Sequence, residues 1–234
     1  MKCRTKRERV ISSKIYRTLK SRGKHVVKQN MRIDNFAKIQ PLLEFGKDTY
    51  YFVQIIKRRK DEGNEGLGVS ELCVWQRFID KPDTLEHLKQ EIQELCTIYN
   101  ARAYIELNPR SLERWSIELA RRLLDRISLH DFTSVQRLPN KVALSEDTIK
   151  TRGLLIDRRR WMLDVDEKTT IPVAEKWADN LGIRRVANIP TLSGAHIIIE
   201  SFNYKQAGLK LGGMVETEDA KFILSPTANT LLYY

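Results

Sequence analysis

Asp164 and Asp166 stand two positions apart at the end of the apolar run Trp161-Met162-Leu163, with Val165 between them. On an extended strand alternate side chains share a face, so these carboxylates would lie about 6–7 Å apart at Cβ. Ionised carboxylates that close repel unless a cation lies between them, and hard divalent cations favour oxygen ligands. Such a pair suits phosphoryl transfer with two metal ions held about 3.5–4 Å apart. A strand end bearing two solvated acids has the same spacing and no chemistry. The motif is short, and both readings stay open on these residues alone.

A second candidate is Pro190-Thr191-Leu192-Ser193-Gly194-Ala195-His196, which runs directly into Ile197-Ile198-Ile199. A Ser-Gly turn can bring backbone N–H groups close to an anion, because glycine accepts dihedrals other residues resist. His196, at the mouth of the next strand, could reach a phosphate oxygen. It equally fits a hydrogen-bonded structural histidine. The third candidate is Tyr104-Ile105-Glu106-Leu107-Asn108-Pro109-Arg110-Ser111, a strand ending in a basic turn at a helix start. Helix N-termini attract phosphate and Arg110 could add a bidentate contact. A capping turn with a surface arginine accounts for the same residues.

These segments need elements to position them. Residues 49–57 (TYYFVQIIK) are aromatic and β-branched, and predict a strand that runs into Lys57-Arg58-Arg59-Lys60 and a Gly/Asn/Glu loop. Residues 72–79 predict a second strand. Asp83 or Thr84 would cap a helix reaching about residue 99, with Leu85, Leu88, Ile92 and Leu95 at helical spacing. A strand over 103–107 ends at Asn108-Pro109. Ser111 then caps a helix striped by Leu112, Trp115, Leu119, Leu123 and Ile127. Residues 128–153 read as irregular, with a short helix near 145–151. Beyond them come a strand over 160–166, a helix opened by Pro172 and closed by Gly182, and a strand over 196–202. Residues 220–224 and 231–234 look like a closing pair around Ser225-Pro226. The irregular alternation predicts an α/β (α+β) chain with a mixed or antiparallel sheet.

Composition narrows the classes. The chain has 234 residues, 41% hydrophobic and 30% charged, enough for a real core. No apolar run approaches the roughly 18–20 residues of a membrane span, and the start lacks the apolar middle of a secretory signal. A cytoplasmic protein is expected. Cys3, Cys73 and Cys96 stand far apart, which argues against a zinc ribbon or a disulfide framework. Metal chemistry therefore falls to carboxylates. The net charge of +11 is concentrated: residues 1–30 hold eleven Lys/Arg against Glu8, while the remainder is nearly balanced. A basic arm on a balanced body suits contact with nucleic acid. A solvated leader has the same composition.

Taken in order, the stretches AYIELNPR (103–110), WMLDVD (161–166) and LSGAH (192–196) resemble the catalytic core of the archaeo-eukaryotic primase and primase-polymerase superfamily. The chain is also similar to small primase-like proteins encoded by bacteriophages. The resemblance covers roughly residues 50–234. It implies an RRM-like sheet core over about 154–234, plus an N-terminal α/β unit over about 31–127, preceded by the basic arm. It implies that Asp164, Asp166 and a third acid hold Mg²⁺ or Mn²⁺. Asp219 is the choice for that acid, with Glu218 and Glu216 behind it. Ser193, His196 and Arg110 would contact a nucleoside triphosphate, and Lys57, Arg58, Arg59 and Lys60 would contact phosphate or template. The implied activity is transfer of a nucleotide to a 3′-hydroxyl, with a helicase as a potential replication partner. A nuclease or phosphoesterase built on the same acids, and a non-catalytic nucleic-acid binder that kept the fold, are the alternatives. The chain departs from the family in lacking a cysteine-rich zinc element, and its third acid sits in a cluster.

Overall fold

Aromatic and β-branched residues give β1 (Tyr50–Arg58) a strand whose first four side chains are all buried. It pairs antiparallel with β2 (Glu71–Ile79) on one side and β3 (Arg102–Arg110) on the other. The structure, a computed structural model, describes residues 32–135, 138–143 and 159–234. The arm over 1–30 and the helix expected near 145–151 lie outside the described residues.

Between β2 and β3 runs α2 (Pro82–Tyr99), which follows a single helical turn, α1 (Phe36–Ile39). Pro82 opens α2, and Lys81 is its N-cap with no side-chain cap, not the expected Asp83 or Thr84; Thr84 instead donates to Asp80. Asn100 closes it with a left-handed φ of 47°. Leu85, Ile92 and Cys96 turn inward and join Tyr51, Val53, Ile55, Ile105 and Leu107 in one core. Each fully buried aliphatic side chain of this kind contributes about 1.5–3 kcal/mol.

β3 extends through Asn108-Pro109, where the sequence predicts a break. A register shift opposite Tyr50–Phe52 accommodates it, and Pro109, which has no N–H to give to a ladder, falls within this shifted stretch. Ser111 caps α3 (Leu112–Ser128) as expected, its hydroxyl accepting from the Arg114 N–H at 3.1 Å. A short α4 (Leu138–Ala143) packs on α3.

A second antiparallel sheet follows. β4 (Arg160–Val165) is its central strand and α5 (Ile171–Asn180) covers it, with Gly182 at φ +65° beyond the helix end. Then come β5 (Arg185–Pro190), β6 (Ala195–Glu200), β7 (Met214–Glu216) and β8 (Lys221–Ser225), in the spatial order β5-β6-β4-β8-β7. With β4 between the third and last strands, β5-β6-β4-β8 has the order of a split β-α-β sheet, matching the RRM-like expectation. The segment after β6 supplies β7 in place of a second helix. Trp161, Leu163 and Val165 pack against Ala174 and Ala178 of α5, as the alternation along β4 predicts.

The two strands expected to close the chain as a pair do not pair. β9 (Asn229–Tyr233) leaves the second sheet and joins β3 at the edge of the first, giving the order β2-β1-β3-β9. Ser225-Pro226 therefore carries a crossing between sheets, not a hairpin. The N-terminal unit is thus completed by the last strand, and Asp34 bridges Tyr233 to seal it. Among the described residues, no helix is long and apolar enough to cross a membrane.

Candidate active site at the seam of the two sheets

Antiparallel pairing of β4 with β6 sets Asp164 directly opposite His196. Residues opposite one another point to the same face, and here the side chains meet: His196 Nε2 lies 3.4 Å from Asp164 Oδ1. His196 is 8% exposed, while the Asp164 side chain keeps 35% of its surface open. Asp164 is held below the ordinary carboxylate range. The hydrogen bond from His196 is the chief cause, and with the electrostatic pull of His196 and, after it, the charges of Lys60 and Arg58 it outweighs partial burial. The charges of Arg58, at the end of β1, and Lys60, two residues beyond it, thus reach this carboxylate. Arg58 itself donates to the Tyr104 hydroxyl at 3.1 Å and pairs with Glu71 at 3.2 Å, so its side chain is held by the neighbouring strands of the first sheet.

Gly194 is what lets the histidine turn lie against the aspartate strand. A Cβ on Gly194 would stand 1.8 Å from the Val165 carbonyl oxygen and 2.8 Å from the Asp166 carbonyl carbon. Only a residue without a side chain fits. The N–H of Gly194 donates to Thr191 Oγ1 at 3.1 Å, so the turn is closed by its own threonine. Close approach, and not a donor to an anion, is the use of this glycine. Ser193 is exposed at the tip of the turn.

Asp166 falls one residue past the end of β4 and is exposed. The third acid does not join it. β8 places Ile223 opposite Asp164, and β7 lies one strand further out, with Glu216 across from Lys221 and bonded to it at 2.8 Å. Two strand spacings separate β7 from β4, about 9.5 Å. Asp219 is exposed in the β7–β8 turn, which Thr217 closes through two bonds to Ala220. Among the described residues, no three His, Cys, Asp or Glu side chains gather closely enough to hold a metal ion by themselves.

Arg110 is not brought to this site. It is 3% exposed at the end of β3, two residues past Asn108, whose amide bonds the backbone of Arg160. Arg160 lies at the opposite end of β4 from Asp164, four residues or about 13 Å away. Lys57 is half-buried within β1 and Arg59 is exposed beyond it; of the four basic residues, Arg58 and Lys60 are the two whose charge acts on Asp164. Of the two described cysteines, burial pushes the Cys96 thiol up to about 12 and raises the Cys73 thiol as well.

Thr230 is the site residue that sequence reasoning missed. Fully buried on β9, it places its hydroxyl 2.9 Å from His196 Nδ1. A lone threonine in a terminal strand carries no local signal, and its partnership depends on β9 crossing between sheets. Compared with models of known protein families, with curated proteins and with solved structures, the chain matches none.

Proposed function

We propose that the chain is a metal-dependent nucleotidyltransferase acting on nucleic acid, with its centre at Asp164 and His196. The observation that carries this reading is the meeting of those two side chains at 3.4 Å beside the charges of Arg58 and Lys60. One carboxylate held ionised, one imidazole and two cations on a partly open face form a setting for a polyphosphate and its counter-ion.

The donor set fits magnesium or manganese. Asp164 offers a charged and partly exposed carboxylate, and Asp166 a second one just past the end of the same strand. Magnesium is commonly held by one or two carboxylates together with substrate phosphates, so a closed protein cage is not required. When bound, the ion would supply charge neutralisation at the reacting phosphate and activation of the attacking hydroxyl. The chain's own part is placement. His196 would hold a phosphate oxygen beside Asp164, Arg58 and Lys60 would neutralise phosphate charge, and the Gly194 turn would keep His196 against β4.

The test is extension of a labelled primer with nucleoside triphosphate and Mn²⁺, comparing the protein with its Asp164→Ala/Asp166→Ala variant. Lengthening by the native chain that vanishes in the variant supports the reading. Equal lengthening by both rejects this site. Shortening of the oligonucleotide without nucleotide would instead identify a nuclease.

A further inference from the structure

His196 Nδ1 has two partners on β9: the Thr230 hydroxyl at 2.9 Å and the backbone N–H of Leu231, whose nitrogen is 3.4 Å away. A backbone N–H can only donate. A hydrogen on Nδ1 would point toward the Leu231 hydrogen, which favours Nδ1 presenting its one lone pair on this side. The Thr230 hydroxyl, free to rotate, then donates to the same atom. The ring hydrogen is left on Nε2, the atom that faces Asp164 Oδ1 at 3.4 Å.

We infer that Thr230 is a positioning residue which, with the Leu231 N–H, fixes His196 as the Nε2–H tautomer and makes it a hydrogen-bond donor to an anionic ligand at Asp164. Two roles close as a result. A metal ion at Nε2 would need the lone pair there, and hence a hydrogen on Nδ1 that Leu231 opposes. A general base would need its lone pair facing the substrate, whereas here it faces β9 and is sealed from solvent by the fully buried Thr230. The edge of the imidazole that faces Asp164 carries only a donor. An oxygen of a phosphate chain, rich in acceptors and lacking donors, is the ligand chemistry this matches.

The identity of the ligand rests on the nucleotidyltransferase reading, but the tautomer does not, and the experiment separates them. In protein labelled with ¹⁵N-histidine, long-range ¹H–¹⁵N correlation distinguishes a protonated ring nitrogen from a bare one, and His196→Asn identifies which of the four histidines is His196. The expected result is a bare Nδ1 and a protonated Nε2. Thr230→Val should add a population with the opposite tautomer and weaken binding of inorganic tripolyphosphate about two- to tenfold. Thr230→Ser, which restores a hydroxyl, should recover both. His196→Gln, whose amide donor sits where Nε2–H does, should retain more affinity than His196→Asn.

A protonated Nδ1 in the native protein overturns the inference. So does a Thr230→Val protein whose tautomer and tripolyphosphate affinity both equal the native values. A native protein with the expected tautomer that fails to bind tripolyphosphate upholds the role of Thr230 and removes the phosphate-binding reading above.

Discussion

Asn108 clasps the first residue of β4 as a strand partner would: its Oδ1 accepts from the Arg160 N–H at 2.8 Å and its Nδ2 donates to the Arg160 carbonyl at 2.9 Å. One side chain from the first sheet thus pairs with the backbone of the second. Glu106 holds that side chain in place, accepting from Asn108 Nδ2 at 2.7 Å and from the Ala228 N–H at 3.1 Å. The guanidinium of Arg160 returns to the first sheet through the Leu107 carbonyl and to the chain before β1 through Leu42 and Glu44. These bonds anchor the end of β4 remote from Asp164. Near the other end, the bond between His196 and Thr230 ties β6, opposite Asp164, to β9.

Removing the clasp should loosen the protein more than its size suggests. Asn108→Leu fills the space but leaves the Arg160 N–H and carbonyl without that partner in a buried setting, where each unmet group costs about 1–3 kcal/mol. Urea denaturation should show a loss of about 2–4 kcal/mol relative to the native chain. A loss under about 1 kcal/mol would mean that Asn108 is incidental to the joint between sheets.

Gly194→Ala tests the approach of the turn to β4. The added Cβ meets backbone atoms of Val165 and Asp166 that cannot swing aside. The turn must move away, and His196 moves with it. Overpacking of this kind costs about 1–3 kcal/mol. On the proposed nucleotidyltransferase reading, nucleotide incorporation should fall further than the loss of stability accounts for, because the His196–Asp164 contact lengthens. Native activity together with a native urea midpoint would contradict this.

The pairing of Asp164 with His196 was legible because it obeys local rules. Alternation along 161–165 placed Asp164 away from the α5-facing side, and the Ser-Gly turn announced the start of β6. Helix α3 was legible for the same reason, with Ser111 as its cap. What could not be read was set by contacts between distant segments. β5 is only six residues long with Arg185 and Asn188 exposed, and β7 is three, too short for periodicity to mark. The crossing of β9 to the first sheet is decided by tertiary pairing, and it brought Thr230 to His196. Arg110 failed as a candidate for a related reason: a basic residue after a strand looks open to solvent until the fold covers it.

The Asp164 carboxyl should titrate below its usual value of 3.8, and the His196 bond should be the main reason. A carboxyl depressed by folding adds stability that is fully present above its unfolded pKa, and loses it as pH falls through the folded pKa. The stability gap between the native chain and Asp164→Asn should accordingly stay level from about pH 7 to about 5 and narrow below about 3.9. In His196→Ala the carboxyl should titrate higher, read directly by ¹³C chemical shift. An unchanged titration in that variant would show that His196 does not hold the carboxylate ionised.

Binding of single-stranded oligonucleotide should depend on Arg58 and Lys60 through charge. Removing one cation that touches a phosphate lowers the slope of log affinity against log salt by about 0.7 on single strands. Arg58→Gln/Lys60→Gln should therefore flatten the slope by about 1.4, provided both side chains touch phosphate. Arg59→Gln removes a neighbouring charge that is not among those acting on Asp164, and should flatten it less. The comparison isolates position from net charge, because Arg59 is adjacent in sequence to both residues. If Arg59→Gln flattened the slope as much per residue as the double variant, the basic end of β1 would be a diffuse field, with no strand path running past Asp164.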